Sequence, residues 1–436
     1  MNLSDLKNSK IAILGFGKEG KSTLSFLLSI GCTDICVLDK NKYEDGLNYK
    51  SQIKFIFGDN YLDNLDSFDY IFKSPGISPY TNNLLKFKNR ILTQTKLFFE
   101  FYKGKIISIT QTKGKSTTAT LVYELLKNAG YNIKLVGNIG NPVLEEINLD
   151  EKYDFIIYEL SSYMLEELDN HHSFISILGN IYPDHLDWHQ DFENYKNAKL
   201  NILKNSENIL VGYDLYSILD KSLFTNHKTF GLKGAYYYHI DNKYYISGKN
   251  DEIVVFPKIP GEHNLNNFSA IFGVCNILNI DYKIFQLTID NFAGLPHRLQ
   301  NIGTYNGITF IDDSISTTPE STIEAIKTFG NKIGIIFLGG TDRGYNFEDL
   351  VKYLVKFSIK NIVLFPDTGI KIKKLLDNSF NYIETNSMNE AVDFAYNNTI
   401  NGKICLLSTA SPSYSIWKNF EEKGSEFQKY VKKRAF

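Results

Sequence analysis

Residues 105–130, KIISITQTKGKSTTATLVYELLKNAG, constrain this chain more than any other stretch. An apolar β-branched run leads into Gly114-Lys115-Ser116-Thr117, and an amphipathic pattern of helical period follows. Strand, tight turn and helix in that order predict an α/β unit whose turn presents backbone N–H groups at a helix N-terminus. Such a turn suits a polyphosphate, because the N–H groups and helix dipole attract its oxygens while Lys115 adds a cation and the Ser116 hydroxyl reaches a Mg²⁺. The general loop G-x-x-x-x-G-K-[ST] asks for glycine where this chain has Ile109, so the motif alone leaves an ordinary helix-capping turn open.

The 436 residues are enough for two or three domains with separate cores. A net charge of -2 offers no basic excess to hold a phosphate backbone, which argues against nucleic acid as a partner. The polar start MNLSDLKNSK and the lack of any apolar run near ~20 residues predict neither a signal peptide nor membrane insertion. Cys32, Cys36, Cys275 and Cys405 are scattered without C-x-x-C or zinc spacing, which fits structural thiols in a reducing cytosol.

Taken in order, a buried-strand pattern over residues 10–15 runs into Gly15-Phe16-Gly17-Lys18-Glu19-Gly20 and a helix to about residue 30, and a second strand ends in Asp39. By itself this loop suits the NAD of an oxidoreductase, another nucleotide, or tight helix–sheet packing. Strands over 53–57 and 70–72 complete a small α/β unit, closed by the rigid loop Ser74-Pro75-Gly76-Ile77-Ser78-Pro79.

A second unit opens near residue 92. Its strand over 155–162 carries Glu159 at the carboxyl end, where a Mg²⁺ ligand beside a phosphate loop belongs, although a solvated strand end explains one such residue equally well. The segment from Asn180 to His189 contains Asp184, His185, Asp187 and His189, a metal-ligand composition, whereas His171 and His172 read as a polar surface corner. Lys199, on a helix over 192–203, is in isolation a solvated residue. Residues 208–256 alternate aromatic with polar side chains and predict antiparallel strands or hairpins. Strands again alternate with helices beyond Leu295, which predicts a doubly wound sheet, with Arg298 a candidate phosphate ligand. Three α/β units in series place ligands in clefts between domains.

Thr112 to Thr117, Glu159-Leu160-Ser161-Ser162, Asn180 to Asp187, Gly261-x-His263-Asn264-x-x-Asn267, Leu295-Pro296-His297-Arg298 and Asp313-Ser314 occur here in the order found in the Mur ligase family. The Gly15 to Gly20 loop, Ser74-Pro75-Gly76 and Ser413-Tyr414-x-x-Trp417-Lys418-Asn419-Phe420-Glu421-x-x-Gly424-x-x-Phe427 make the chain resemble the glutamate-adding branch. The resemblance covers nearly all the chain. It implies an α/β protein of three domains: a Rossmann-like UDP-binding domain over 1–91, a central P-loop ATPase-like domain over 92–294 and a Rossmann-like glutamate-binding domain over 295–436. The implied activity is ATP-dependent addition of D-glutamate to UDP-N-acetylmuramoyl-L-alanine through an acyl phosphate. That step belongs to peptidoglycan precursor synthesis, and so to cell-wall biogenesis, cell shape and division, carried out by a cytoplasmic monomer.

By motif match, Thr112, Lys113, Gly114, Lys115, Ser116, Thr117, Asn264, Asn267, Arg298 and Asp313 would bind ATP. Two Mg²⁺ ions are implied, one held by Ser116 and Glu159 and the other served by His185. Lys115, His185 and Lys199 would be the catalytic set, with Lys199 carbamylated by CO₂. Lys18, Glu19, Asp39 and Gly76 match the UDP end of the sugar nucleotide, Asn138 and Ser161 its sugar side, and Thr317, Arg343, Ser413 and Phe420 the glutamate.

Two residues depart from the family pattern. Gln111 stands where the family loop has glycine; if the position needs positive φ the side chain costs ~1–2 kcal/mol, and Gln111→Gly would lower the KM for ATP. Ile315 stands where some members carry lysine, which shifts the glutamate charge onto Arg343. An L-glutamate-adding relative, a related ligase such as a folate-polyglutamate ligase, an NAD-binding oxidoreductase and a silent sugar-nucleotide binder are the competing readings. The phosphate loop, Glu159 and Lys199 have no purpose in an oxidoreductase.

Overall fold

In the computed structural model the described residues are 3–42, 53–81, 84–137, 142–146, 152–168, 171–241, 243–248, 251–259 and 263–435. The chain forms two compact units, Met1–Pro257 with Glu262–Phe292, and Lys258–Gly261 with Ala293–Phe436. Among the described residues no helix is long and apolar enough to cross a membrane.

The first unit holds three sheets. Strands β1 (Ile11–Leu14), β2 (Ile35–Asp39), β3 (Lys54–Phe57), β4 (Tyr70–Lys73) and β5 (Ile91–Leu92) form a five-stranded parallel sheet in the order β3-β2-β1-β4-β5. Strands β1 and β2 are buried on both faces, so they read as continuous apolar runs and not as alternating ones. The second sheet is parallel, six-stranded and ordered β11-β10-β9-β6-β8-β7, from β6 (Ile106–Thr110), β7 (Ile133–Gly137), β8 (Phe155–Glu159), β9 (Ser173–Leu178), β10 (Ser206–Gly212) and β11 (His227–Phe230). β6 therefore lies between β8 and β9, and the exits of all three reach the same edge of the sheet. Only β12 (Tyr237–Asp241), β13 (Lys243–Ser247) and β14 (Glu252–Val255) form an antiparallel meander. The expectation of antiparallel strands throughout 208–256 is corrected accordingly: β10 joins the parallel sheet through its buried run Ile209-Leu210-Val211, β11 pairs parallel to it as the polar edge strand, and the tyrosine-rich alternation marks only the half-exposed ribbon.

The second unit contains β15 (Gln300–Tyr305), β16 (Ile308–Asp312), β17 (Ile333–Gly340), β18 (Asn361–Asp367), β19 (Asn381–Glu384) and β20 (Ile404–Leu407), ordered β15-β16-β20-β17-β18-β19. Its one antiparallel pair is the hairpin β15–β16, turned at Asn306-Gly307, where both residues have positive φ.

Polar groups join the first two sheets. Ser78 Oγ donates to the Trp188 carbonyl at 2.6 Å, Tyr80 OH donates to Glu166 Oε1 at 2.8 Å, and the Lys73 ammonium donates to the Ile77 carbonyl at 2.9 Å. Lys73 also lies 3.7 Å from Glu167 Oε1, the two side chains being 0% and 4% exposed, and 5.4 Å from the centre of the Trp188 ring. Removing one partner of such a pair strands the other charge in a dry site. Glu167→Ala is therefore expected to destabilise the first unit by about 3 kcal/mol, while Lys73→Met combined with Glu167→Leu recovers most of that loss. Calorimetric unfolding of the three proteins checks this, and a single substitution that leaves Tm in place would show that the pair contributes nothing.

Candidate functional site

The turn after β6 starts the helix Lys115–Asn128, with Gly114 at its N-cap and φ +88, a conformation that favours glycine. Neighbouring strand exits hold the turn by hydrogen bonds. Thr112 N donates to the Asn180 carbonyl at 2.8 Å, Lys113 N to Asn180 Oδ1 at 2.9 Å, and Asn180 Nδ2 returns a bond to the Lys113 carbonyl at 3.0 Å. The Thr112 hydroxyl accepts from Tyr182 N at 3.0 Å and lies 2.7 Å from the Tyr195 hydroxyl. Asn180 and Tyr195 are thus loop clamps to which the sequence reading gave no role. The spacing of Tyr195 and Lys199, four residues apart on one helix face, was the available signal.

The expected groups collect around this turn. Ser116 Oγ donates to Glu159 Oε1 at 3.1 Å, and Glu159 is fully buried at the end of β8. The Lys115 ammonium donates to the Gln111 carbonyl at 3.1 Å. Lys199 is buried and not solvated, and its amine donates to the same carbonyl at 3.2 Å and to Thr110 Oγ1 at 3.1 Å. Burial and then the neighbouring Lys115 charge push the Lys199 amine well below the ordinary lysine range. Thr117 packs inward, Lys113 stays exposed 3.9 Å from Asp184, and Asn264 and Asn267 are buried on the helix His263–Ile277.

The histidines divide. His185 is about half exposed, with φ +53 and Nδ1 3.9 Å from Asp184; partial burial of its ring lowers its pKa, with Asp184 opposing and Lys115 and Lys199 adding to the fall. His189 is fully buried, its Nε2 3.0 Å from Ser162 Oγ, so only one of the two histidines faces the loop side. Among the described residues no three His, Cys, Asp or Glu side chains form a metal cluster, so the expected four-residue ligand set from 184 to 189 is corrected. The oxygen pair Ser116 and Glu159 nevertheless fits Mg²⁺, which takes few protein ligands and keeps water and phosphate as the rest. The reading of His171 as a surface residue is also corrected. Its Nε2 lies 3.3 Å from the Ile202 carbonyl and burial depresses its pKa to about 4, while His172 is exposed against Glu207.

Gln111 does not have positive φ. The expected backbone strain is absent, and its side chain is buried in hydrogen bonds to Thr118 and Asn267.

The N-terminal glycine loop is tight for two reasons: Gly15 has φ +93, and a Cβ on Gly20 would lie 1.9 Å from the Gly15 carbonyl oxygen. Asp39 braces it, accepting from Phe16 N at 2.6 Å and Asn41 N at 2.7 Å. Lys18 and Glu19 line a cleft of ≈ 200 Å³ with Pro75, Gln94, Tyr158 and Gly137. Gly76 is exposed on the neighbouring turn, and Ser161 caps the helix Ser162–Glu166, accepting from Met164 N at 3.3 Å. Asn138 lies outside the described residues.

In the second unit Asp313 is buried, accepting from Leu299 N at 3.1 Å and Ser408 Oγ at 2.8 Å, and burial pushes its pKa up to about 6. Arg298, next to that turn, is half-buried and opposes the rise. His297 and Leu299 both have positive φ, backbone strain concentrated at the motif. Thr317 is half-buried before the helix Pro319–Phe329, Ser413 is buried, and the Phe420 ring stands 6.3 Å from that of His297. Arg343 is exposed, its guanidinium 5.9 Å from the Tyr414 ring centre.

Comparison with known proteins gives the family. Residues 109–280 match the Mur ligase middle domain and residues 9–92 the MurD-like N-terminal domain of Mur ligases. A protein of Clostridioides difficile named UDP-N-acetylmuramoylalanine--D-glutamate ligase is 33% identical, covering 98% of this chain and 99% of that protein. A protein of the same name from Clostridium botulinum is 34% identical over 98% of this chain and 97% of its own length. Among solved structures, the MurF ligase of Thermotoga maritima in complex with ADP has the same fold, with a TM-score of 0.62 at 16% identity over 100% of this chain and 97% of that one. The chain belongs to the Mur ligase family. Within that family, both of these relatives, at 33% and 34% identity, carry the D-glutamate ligase name.

Burial raises the Glu19 pKa to about 7, with Lys73 opposing. A raised folded-state pKa gives a contribution to stability that is complete below the unfolded value and lost as pH rises through about 7. Stability is expected to fall between pH 4.5 and 7 by a component that Glu19→Gln removes. Denaturant unfolding across that range checks it, and parallel curves for the two proteins would exclude the assignment.

Proposed function

We propose that this protein is an ATP-dependent ligase that adds D-glutamate to UDP-N-acetylmuramoyl-L-alanine, a step of peptidoglycan precursor synthesis. The observation that carries the reading is the convergence of Lys115, Ser116, Glu159 and Lys199 on one loop, in a chain similar over nearly its whole length to D-glutamate ligases. ATP would lie along the loop Thr112 to Thr117, with its phosphates on the N–H groups at the start of the helix Lys115–Asn128 and against Lys115. Asn264 and Asn267 would hold the nucleotide from the helix His263–Ile277, and Arg298 and Asp313 belong to the same reaction. Mg²⁺, held by Ser116 and Glu159 with a second ion near His185, would supply charge neutralisation at the γ-phosphoryl group.

The substrate carboxylate attacks the γ-phosphorus, the bond to ADP breaks, and the glutamate amine then displaces phosphate from the acyl phosphate. Lys115 offsets the charge that builds on the phosphoryl oxygens. Lys199 suits carbamylation, since burial favours the neutral amine, the form that attacks CO₂, and the product carboxylate would place an anion beside Lys115. Lys18, Glu19, Asp39 and Gly76 would take the UDP end, at the cleft that Lys18, Glu19 and Gly137 line; by motif match Asn138 and Ser161 would take the sugar side. Arg343, Thr317, Ser413 and Phe420 would bind glutamate, with Arg343 taking the charge that a lysine at Ile315 would have shared. The three main sheets support three domains at 1–91, 92–294 and 295–436, with β5 (Ile91–Leu92) crossing the first boundary; the working form would be a cytoplasmic monomer.

Phosphate release from ATP, Mg²⁺ and UDP-N-acetylmuramoyl-L-alanine tests this, with D-glutamate, L-glutamate or no amino acid in parallel. Release with D-glutamate alone is expected; release with L-glutamate alone moves the enzyme to the other stereochemistry, and release in no tube overturns the ligase reading. Arg343→Ala is expected to raise the KM for glutamate at least ~10-fold while the KM for ATP stays within about twofold, as loss of a charge-assisted bond to a carboxylate requires. Equal changes in both constants would remove Arg343 from the amino-acid site.

A further inference from the structure

Gln111 is a buried polar side chain beside the phosphate loop to which the proposed reaction gives no task. It is 2% exposed, and Nε2 donates to Thr118 Oγ1 at 2.9 Å and to Asn267 Oδ1 at 3.3 Å. Thr118 Oγ1 also donates to Asn267 Oδ1 at 3.1 Å, and Asn267 Nδ2 donates to Asn264 Oδ1 at 3.2 Å. Four buried side chains thus form one network that joins the exit of β6, the helix Lys115–Asn128 and the helix His263–Ile277.

The surroundings are shaped to this side chain. A Cβ on Gly179 would lie 1.7 Å from Gln111 Oε1, so the chain leaves out a side chain where the Gln111 amide sits. A Cβ on Gly114 would lie 2.8 Å from Gln111 Nε2 and 2.9 Å from Asn267 Oδ1, so both amides pack directly on the glycine that begins the phosphate loop. An amide can turn about its last bond and exchange its oxygen for its NH₂ with little change of shape. The Thr118 hydroxyl can follow such a turn, because it accepts as readily as it donates. The Gln111 amide cannot follow without turning itself, so it couples the orientation of Asn267 to the loop.

We propose that Gln111 is a positioning residue for the nucleotide, holding the Asn267 carboxamide in place and in one orientation against the phosphate loop. The inference rests on the reading of Asn267 as an ATP ligand. It reverses the direction expected from sequence: Gln111→Gly removes a bond and opens a hole beside Gly179, and so weakens ATP binding.

Calorimetric titration with MgADP, and separately with UDP-N-acetylmuramoyl-L-alanine, tests the proposal on the full-length wild type, Gln111→Met, Asn267→Ala and the double variant. Methionine keeps the volume and loses the donors. Gln111→Met is expected to weaken MgADP about 10-fold, as one net hydrogen bond requires, and to leave the sugar nucleotide within about twofold. In the Asn267→Ala background the same substitution should change MgADP affinity by less than about twofold, a coupling that general loosening of the core would not produce. Unchanged MgADP affinity in Gln111→Met, an equal loss for both ligands, or a full loss repeated in the Asn267→Ala background would each overturn the proposal. Should the methionine variant fail to fold, Gln111→Ala carries the same comparison. If MgADP does not bind the wild type, the ATP site itself is wrong and the inference falls with it; binding to the wild type with an unmoved variant overturns the inference alone.

Discussion

Two lysine amines, Lys115 and Lys199, donate to one backbone oxygen, the carbonyl of Gln111, at 3.1 and 3.2 Å. In a site where Lys199 is 2% exposed, two full positive charges on one carbonyl are costly, and the buried amine gives up its proton most easily. The rest of the site is organised around that conflict. Glu159 stands on the adjacent strand, Asp184 lies toward the open side, and a polyphosphate with its metal ions would bring the remaining charges. A loop built this way is arranged for an anion before one arrives, which is how fixed charges contribute to catalysis without reorganising during the reaction.

The conflict can persist only because the loop cannot relax away from it. Its backbone is clamped by Asn180 through three hydrogen bonds, its threonine hydroxyl is held between Tyr182 and Tyr195, and its first turn carries Gly114 in a conformation that favours glycine. The clamps come from the exit of β9, adjacent to β6 in the parallel order, and from the helix Phe192–Leu200, so the packing around β6 decides which side chains can reach the loop. The N-terminal glycine loop shows the same economy with different parts. Asp39 accepts from two backbone N–H groups, and Lys18 and Glu19 line the cleft.

Much of this was legible in the chain. The continuous apolar runs of β1, β6, β8, β9 and β20 announced buried parallel strands, and the glycines and hydroxyls that follow β1 and β6 announced nucleotide loops. The order of short motifs from Gly15 to Phe427 carried the family. Three misreadings share one cause: His171, His189 and Lys199 are polar residues whose burial depends on what packs over them from elsewhere in the chain, and local sequence carries no record of that. β10 and β11 were read as hairpin strands because alternation in the neighbouring meander dominated the pattern.

The sequence by itself determined the parallel α/β architecture, the two glycine loops and the chemical types available at each, since periodicity and turn chemistry are local properties. Only the tertiary structure decided which of those groups meet. It buried Lys199 against Lys115, left one of the two histidines of the 185–189 turn facing outward, and joined Gln111 to Asn267 across 156 residues of chain. The physical reason is that charge interactions and amide networks depend on distance and desolvation, and both are set when separate strands and helices pack together.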